Sequence, residues 1–384
     1  MARETLDPAA PARPKPNSAG AGIIAPSPTP RSRKRGSWTR AIVAFPVLVA
    51  MLFGAVVLAE AFSSVFIEPI VTAQVLLNAT SLFDFPRTWP VTDEVILLTL
   101  RLPSVFGAVL VGAALGMAGA LLQGLLRNPL ADPFLLGTSS GAALGASAAF
   151  LLPAVFTASL LGFSLLAGFA FLGALLAAAL VYALATRHGR TPVVSLLLAG
   201  VAVSALLSAL QTLIIIFNDR QGFQIRVLYL WLAGGVRVGS WAQVWVVAAL
   251  VAIGLVGALL LAPSLDVFAL GEEMAAHLGL AVERRKVMVV ALSALFVAGA
   301  VAISGLVGFV GLVVPHIFRI LLGPRHRLLI PASALGGAIF VTLADLLART
   351  VVAPAVLPLG ALTALVGGPF FLALLRSAGR RYQW

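Results

Sequence analysis

The sequence predicts an all-α, polytopic membrane protein, on composition, run length and the placement of charge. Of 384 residues, 60% are hydrophobic and only 10% are charged, and the mean hydropathy is +1.06. A soluble domain carries roughly 25% charged residues, so this chain could not cover a water-facing surface. Its apolar runs reach the length of about 20 residues that a bilayer-crossing helix needs. They are rich in Leu, Ala and Gly and lack the alternation of barrel strands. Basic residues fall in short clusters between the runs, the pattern that orients helices in a membrane. The formal charge of +12 therefore points to membrane lipid and not to nucleic acid. The chain has no cysteine, which excludes disulfides and thiolate metal sites.

Taken in order, Met1–Trp38 is rich in Pro, Ala, Ser and basic residues and cannot bury enough apolar surface to order itself. It is expected to be a disordered cytoplasmic tail, with residues 39–384 forming one transmembrane domain. The first apolar stretch, Ala41 to about Phe66, is too long for a signal-peptide core and reads as the first span. Further spans are expected at Leu102–Leu126, Phe134–Leu152, Leu160–Ala185, Val193–Phe217 and Trp241–Leu261. The last four fall at Val287–Phe309, Val310–Leu322, Leu328–Leu347 and Leu357–Leu375. Val310–Leu322 is too short to cross alone, and Pro315 interrupts it; such pieces are tolerated where they pack within protein or line a cavity. With both termini cytoplasmic, 20 of the 26 Lys and Arg residues lie on the inner side, as the positive-inside rule asks.

A faint internal repeat matches Gly112–Pro129 to Ala298–Pro315, aligning Gly119 with Gly305. In this topology the two segments run in opposite directions, as in transporters built from inverted repeats. Chance similarity between two Gly/Ala/Leu-rich helices would give the same match.

No phosphate-cradling G-x-x-x-x-G-K-[ST] occurs, and no His/acid cluster suggests a metal site. The histidines, His188, His277, His316 and His326, read as interfacial polar groups. Glu60 and Asp345 lie near outer span ends, with Arg349 four residues after Asp345 and able to pair with it. None sits at mid-span, where an ion-coupling group would be expected. The loop Pro263–Lys286 mixes Asp266, Glu272, Glu273, His277 and Glu283 with Leu270, Met274 and Leu278. Gly271 breaks it and Gly279 suits a helix end, so it reads as short amphipathic helices on the cytoplasmic side. An interfacial helix on lipid is the alternative, but its polar face would favour Lys and Arg over acids. In Arg127–Ala146, Pro129 and Pro133 bar a continuous helix. Thr138, Ser139 and Ser140 then open the next span, either as a polar lining or as helix caps.

At these residues the chain resembles the FecCD family of ABC-importer permeases. The resemblance runs from RLPSVFGAVLVGAALG through RNPLADPFLLGTSSGAALG, FALGEEMAAHLGL, SGLVGFVGLVVPHIFRILLGPRHRLLIPASALGGA and LADLLART to LPLGALTALVGGPFFLALL. It covers roughly Arg101 to Arg376 and implies a ten-span, type II ABC-importer permease fold. It also implies a homodimer with a second copy of itself, two ATP-binding subunits that carry the hydrolysis, and an extracytoplasmic substrate-binding protein. Cargo in the family is an iron–siderophore, haem or vitamin B12, and no resident cofactor is implied. The resemblance assigns ATPase coupling to Asp266, Leu270, Gly271, Glu272, Glu273, Met274, His277, Leu278 and Gly279. Binding-protein docking falls to Arg101 and Arg349; Ser104 stands where the family often has another Arg. Asn128, Thr138, Ser139 and Ser140 are the candidates for the path or inner gate. The other classes open to such a chain are an ion-coupled secondary carrier and a membrane-embedded enzyme.

Overall fold

The structure, a computed structural model, describes residues 30–62, 66–80, 83–152, 158–218 and 222–379. The expected tail falls outside these residues up to position 29, and α1 begins at Pro30. Eight helices among the described residues are long and apolar enough to cross a membrane. They are α1 (Pro30–Ala61), α4 (Leu102–Leu125), α6 (Leu165–Ala185), α7 (Val193–Phe217), α9 (Trp241–Phe268), α11 (Val282–Ser304), α13 (His326–Thr350) and α14 (Leu359–Gly379). Shorter helices fill the intervals: α2 (Pro69–Ala79), α3 (Val91–Val95), α5 (Thr138–Ala149), α8 (Gly222–Leu232), α10 (Glu272–His277) and α12 (Val310–Leu322). A π-helical stretch, Ile96–Arg101, joins α3 to α4, so that Val91–Leu125 forms one rod.

Two of the expected spans are half-helices. In place of Phe134–Leu152 stand a 3-10 turn, Pro133–Leu136, and the 12-residue α5. α12 has 13 residues. At 1.5 Å per residue each covers about 20 Å, short of the roughly 30 Å hydrocarbon core. Gly137 (φ 75°) turns left-handed just before α5, and Phe309 (φ 67°) does the same before α12. The sixth span also runs seven residues past its expected end, to Phe268, so Pro263 and Asp266 belong to α9 and not to the loop after it. Sequence reasoning missed α2, α3 and α8.

α4 is the axis of the bundle and is buried over nearly its whole length. It lies antiparallel against α13, where a Cβ on Gly112 would strike the backbone of Gly337 and one on Gly116 that of Ser333. Gly119 meets Gly311 of α12 in the same way. α5 and α6 repeat the device, with Gly141 against Gly173 and Gly145 against Phe169. In lipid there is little hydrophobic drive between helices, so close backbone approach through small residues supplies the attraction.

The packing is reciprocal. α4 packs on α13 as α11 packs on α6; α5 packs on α6 and α7 as α12 packs on α13 and α14. Near the start of α4, the Ser104 hydroxyl donates to Val238 O (3.0 Å). At the end of α11, Ile303 O accepts from Arg237 N (2.9 Å). The start of one helix and the end of the other therefore share one side, and α4–α7 and α11–α14 are inverted counterparts. The match of Gly119 to Gly305 is out of register, because Gly119 lies inside α4 and Gly305 lies just past the end of α11. Similar Gly/Ala composition in both helices produced it.

Gly337→Val, with no room for its side chain against Gly112, should destabilise the fold by about 1–3 kcal/mol or more. Gly168→Val, at a glycine with open space around it, should change little. Thermal unfolding of the two purified variants in detergent checks the difference.

Candidate functional site

The candidate residues fall at three levels along the bundle. At the end of the bundle where α9 stops and α11 begins, α10 is framed by Gly271 (φ 107°) and Gly279 (φ 81°), both in the left-handed region that favours glycine. Ala275 is buried, while Leu270, Met274 and Leu278 are 64%, 51% and 62% exposed. Glu273 and His277 are exposed beside them. Glu272 turns the other way, and its carboxylate accepts from Lys286 Nζ at 2.6 Å. Asp266 also faces inward. Its Oδ1 accepts from His326 N (3.0 Å) and lies 2.7 Å from His326 Nδ1, tying the end of α9 to the start of α13. Of the residues expected at the coupling surface, Leu270, Glu273, Met274, His277 and Leu278 form one face, and Asp266 and Glu272 serve internal contacts.

Sequence reasoning missed Lys286, which is 3% exposed. Besides Glu272, its ammonium reaches Glu283 Oε1 (3.1 Å) and Thr191 O (2.8 Å).

Inside the bundle the hydroxyls named from sequence are mostly committed to backbone. Thr138 is fully buried and donates to Pro133 O (3.4 Å); Ser140 donates to Gly137 O (3.0 Å). Ser139 is half-buried, and Asn128 is exposed, its side chain accepting from Leu130 N (2.9 Å). The structure therefore does not gather these four around one cavity. The group that joins the two half-helices is Asp132, which sequence reasoning passed over. Its carboxylate accepts from Phe134 N (2.8 Å), ahead of α5, and from the N–H of Phe309, ahead of α12. Gln123 of α4 adds a second tie by donating to Gly311 O (3.2 Å) and Leu312 O (3.1 Å). The signal for Asp132 was present in the sequence, as an Asp preceding Pro-Phe at the head of a helix.

At the opposite end of the bundle, beside the end of α1, Arg101 is only 8% exposed. Its guanidinium donates to Glu60 O (2.7 Å), the end of α1. Arg349 pairs with Asp345 (3.0 Å), the i,i+4 partner expected from sequence. The buried carboxylate of Glu60 lies within electrostatic reach of both arginines. Both residues expected at a docking surface are thus held by acids and backbone of the chain itself. Arg87, Arg226 and Arg237 are exposed cations.

Residues 51–377 match the FecCD transport family. The chain belongs to that family. It is a multi-pass membrane protein and an ABC-transporter permease. This FecCD permease is 44% identical over 288 residues to the cobalamin import system permease BtuC of Halobacterium salinarum, covering 75% of each chain. It is 44% identical over 280 residues to the hemin transport system permease HmuU of Yersinia pestis, covering 73% of this chain and 83% of that one. Against the Fe(3+)-citrate import system permease YfmD of Bacillus subtilis it is 40% identical over 285 residues, covering 74% and 82%. Among solved structures it resembles a metal-chelate type ABC transporter in an inward-facing conformation, with a TM-score of 0.71 and 29% identity. That match covers 86% of this chain and 97% of the other.

Asp132→Ala would leave two buried N–H groups of the FecCD permease without their acceptor, at about 1–3 kcal/mol for each. Asp132→Asn, which keeps one acceptor oxygen, should lose less. Thermal unfolding in detergent, with amide exchange at Phe134 and Phe309, reads both.

Proposed function

We propose that this permease forms the membrane path of an ATP-driven importer, receiving an iron chelate of the iron–siderophore type from an extracytoplasmic binding protein. The observation that carries the ATP-driven part is the face made by Leu270, Met274 and Leu278. Large apolar side chains exposed on a polar loop call for a protein cover, and Glu273 and His277 at its edge fit a charged partner better than lipid. The partner is an ATP-binding subunit, with α10 as the surface on which it pushes. Both termini then lie in the cytoplasm.

The path is proposed to run between two copies of the chain. α7 and α14 bury few residues in the single chain. The exposed side of α7 carries the small residues Ala205, Ser208 and Thr212 next to Leu206, Leu210 and Leu213, a stripe that suits close packing of a second helix. Asn128 and the half-buried Ser139 remain candidates for its inner end, and Thr138 and Ser140 hold the backbone behind them. Arg101 and Arg349 act at the outer face, where complementary charge would steer encounter and fix register more than add affinity. Alternating access requires only that the nucleotide states favour different shapes of the pair.

The iron-chelate reading is supported by the metal-chelate type structure and the ferric-citrate relative. A haem or cobalamin cargo is the second reading, favoured by the 44% identity to the hemin and cobalamin permeases.

Reconstitution in vesicles with a cognate ATPase and binding protein should give ATP-dependent uptake of a ferric chelate that exceeds uptake of haemin or cobalamin. Uptake of equal size without the ATPase would instead mark an ion-coupled carrier. Changing Leu270, Met274 and Leu278 together to Ser should weaken ATPase co-purification by about tenfold or more, as loss of a central apolar anchor of about 2 kcal/mol implies. Glu273→Lys should weaken it through the same face.

A further inference from the structure

The Lys286 ammonium has three donor hydrogens, and each finds a different element. Glu272 at 2.6 Å belongs to α10, Glu283 at 3.1 Å to the first turn of α11, and Thr191 O at 2.8 Å to the turn between α6 and α7. Thr191 closes the circuit by donating its N–H to Glu283 Oε2 (3.0 Å). Its hydroxyl reaches the Tyr182 phenol (3.1 Å) and the Thr186 hydroxyl (2.9 Å) in the last turn of α6. The turn itself is stiff, since Arg187 and Arg190 exchange both backbone hydrogen bonds (2.9 and 3.0 Å) around His188 and Gly189.

Helix stability alone gives no reason for this arrangement. A cation in the first turns of α11 opposes the helix dipole, and a buried lysine is tolerated only when fully paired. α10 otherwise packs chiefly on α9 and α11. Beyond the turn, α7 is fully buried within its own chain only at Leu196, Gly200 and Val203, so within that chain it is held most firmly near its start.

We propose that Lys286 is the positioning residue that joins α10 to the α6–α7 turn, so that displacement of α10 is delivered to the start of α7. It touches neither nucleotide nor cargo and acts through Glu272 and Thr191. The inference rests on the reading of α10 as the ATPase-facing surface.

Glu272→Ala removes the acceptor on α10, severs only that arm and leaves Lys286 with Glu283 and Thr191. In the reconstituted full assembly it should lower cargo moved per ATP hydrolysed by about tenfold, a typical coupling energy between sites, with the ATPase still bound. Lys286→Met should do the same, and the double variant should lose no more than either alone, because both changes break one link. A merely structural role would lower the amount of folded assembly and leave the ratio unchanged. A second measurement needs no ATPase. The chain has no cysteine, so spin labels at Val194→Cys and Ala276→Cys, both at exposed positions, report the α7–α10 distance in the permease alone. A narrow distribution that broadens in Glu272→Ala supports the link. An unchanged distribution, or an unchanged transport-to-hydrolysis ratio, overturns it. If the unmodified assembly shows no ATP-dependent uptake, the importer reading falls and the spin-label distance decides the Lys286 link by itself.

Discussion

A hydrocarbon layer offers no water to backbone N–H and C=O groups, so any helix that stops inside it must bring its own partners. That constraint explains the centre of this bundle. α5 and α12 both begin within the protein, and their leading turns are held against each other. Asp132 supplies an acceptor to both starts, and Gln123 returns donors to the carbonyls of Gly311 and Leu312. Thr138 and Ser140 spend their hydroxyls on the same backbone. The glycine contacts of α4 follow from the same requirement. Only a helix without side chains at Gly112, Gly116 and Gly119 lets α12 and α13 come close enough for these bonds to form.

What could be read from the sequence divides along physical lines. The long helices were legible because composition reports environment, and membrane environment demands helix. The two half-helices were legible only in part, because hydropathy measures burial in apolar surroundings and not continuity of the backbone. Phe134–Leu152 carries no charge, yet Gly137 turns left-handed inside it. Phe309 adopts a conformation that phenylalanine rarely takes, and no residue rule announces it.

For the candidate site, the shared face of Met274 and Leu278 was readable because positions four apart are neighbours on a helix. Lys286 was not readable. Its partner Glu272 is 14 residues away and Thr191 is 95, and only the packing of three elements brings them together. Arg101 shows the reverse case: its position at a span end was clear, but the burial beneath α1 was not. The outer arginines consequently face internal acids as well as the exterior. An incoming partner would have to compete with Glu60 and Asp345, which makes the outer face less basic than its arginine count suggests.

Within its own chain α7 is fully buried only at Leu196, Gly200 and Val203, all in its first half. There it is a cantilever clamped near its base, with a far half that packs through Leu207 and Ile215 and otherwise faces the second copy proposed above. From Gly200 to Phe217 the helix measures about 25 Å. A rotation of about 10° at the clamp would therefore carry the outer tip by about 4 Å on that helix geometry, while Thr191 on the other side of the clamp would move less and in the opposite sense. A small stroke at the inner surface is enlarged at the outer one, and its direction is reversed.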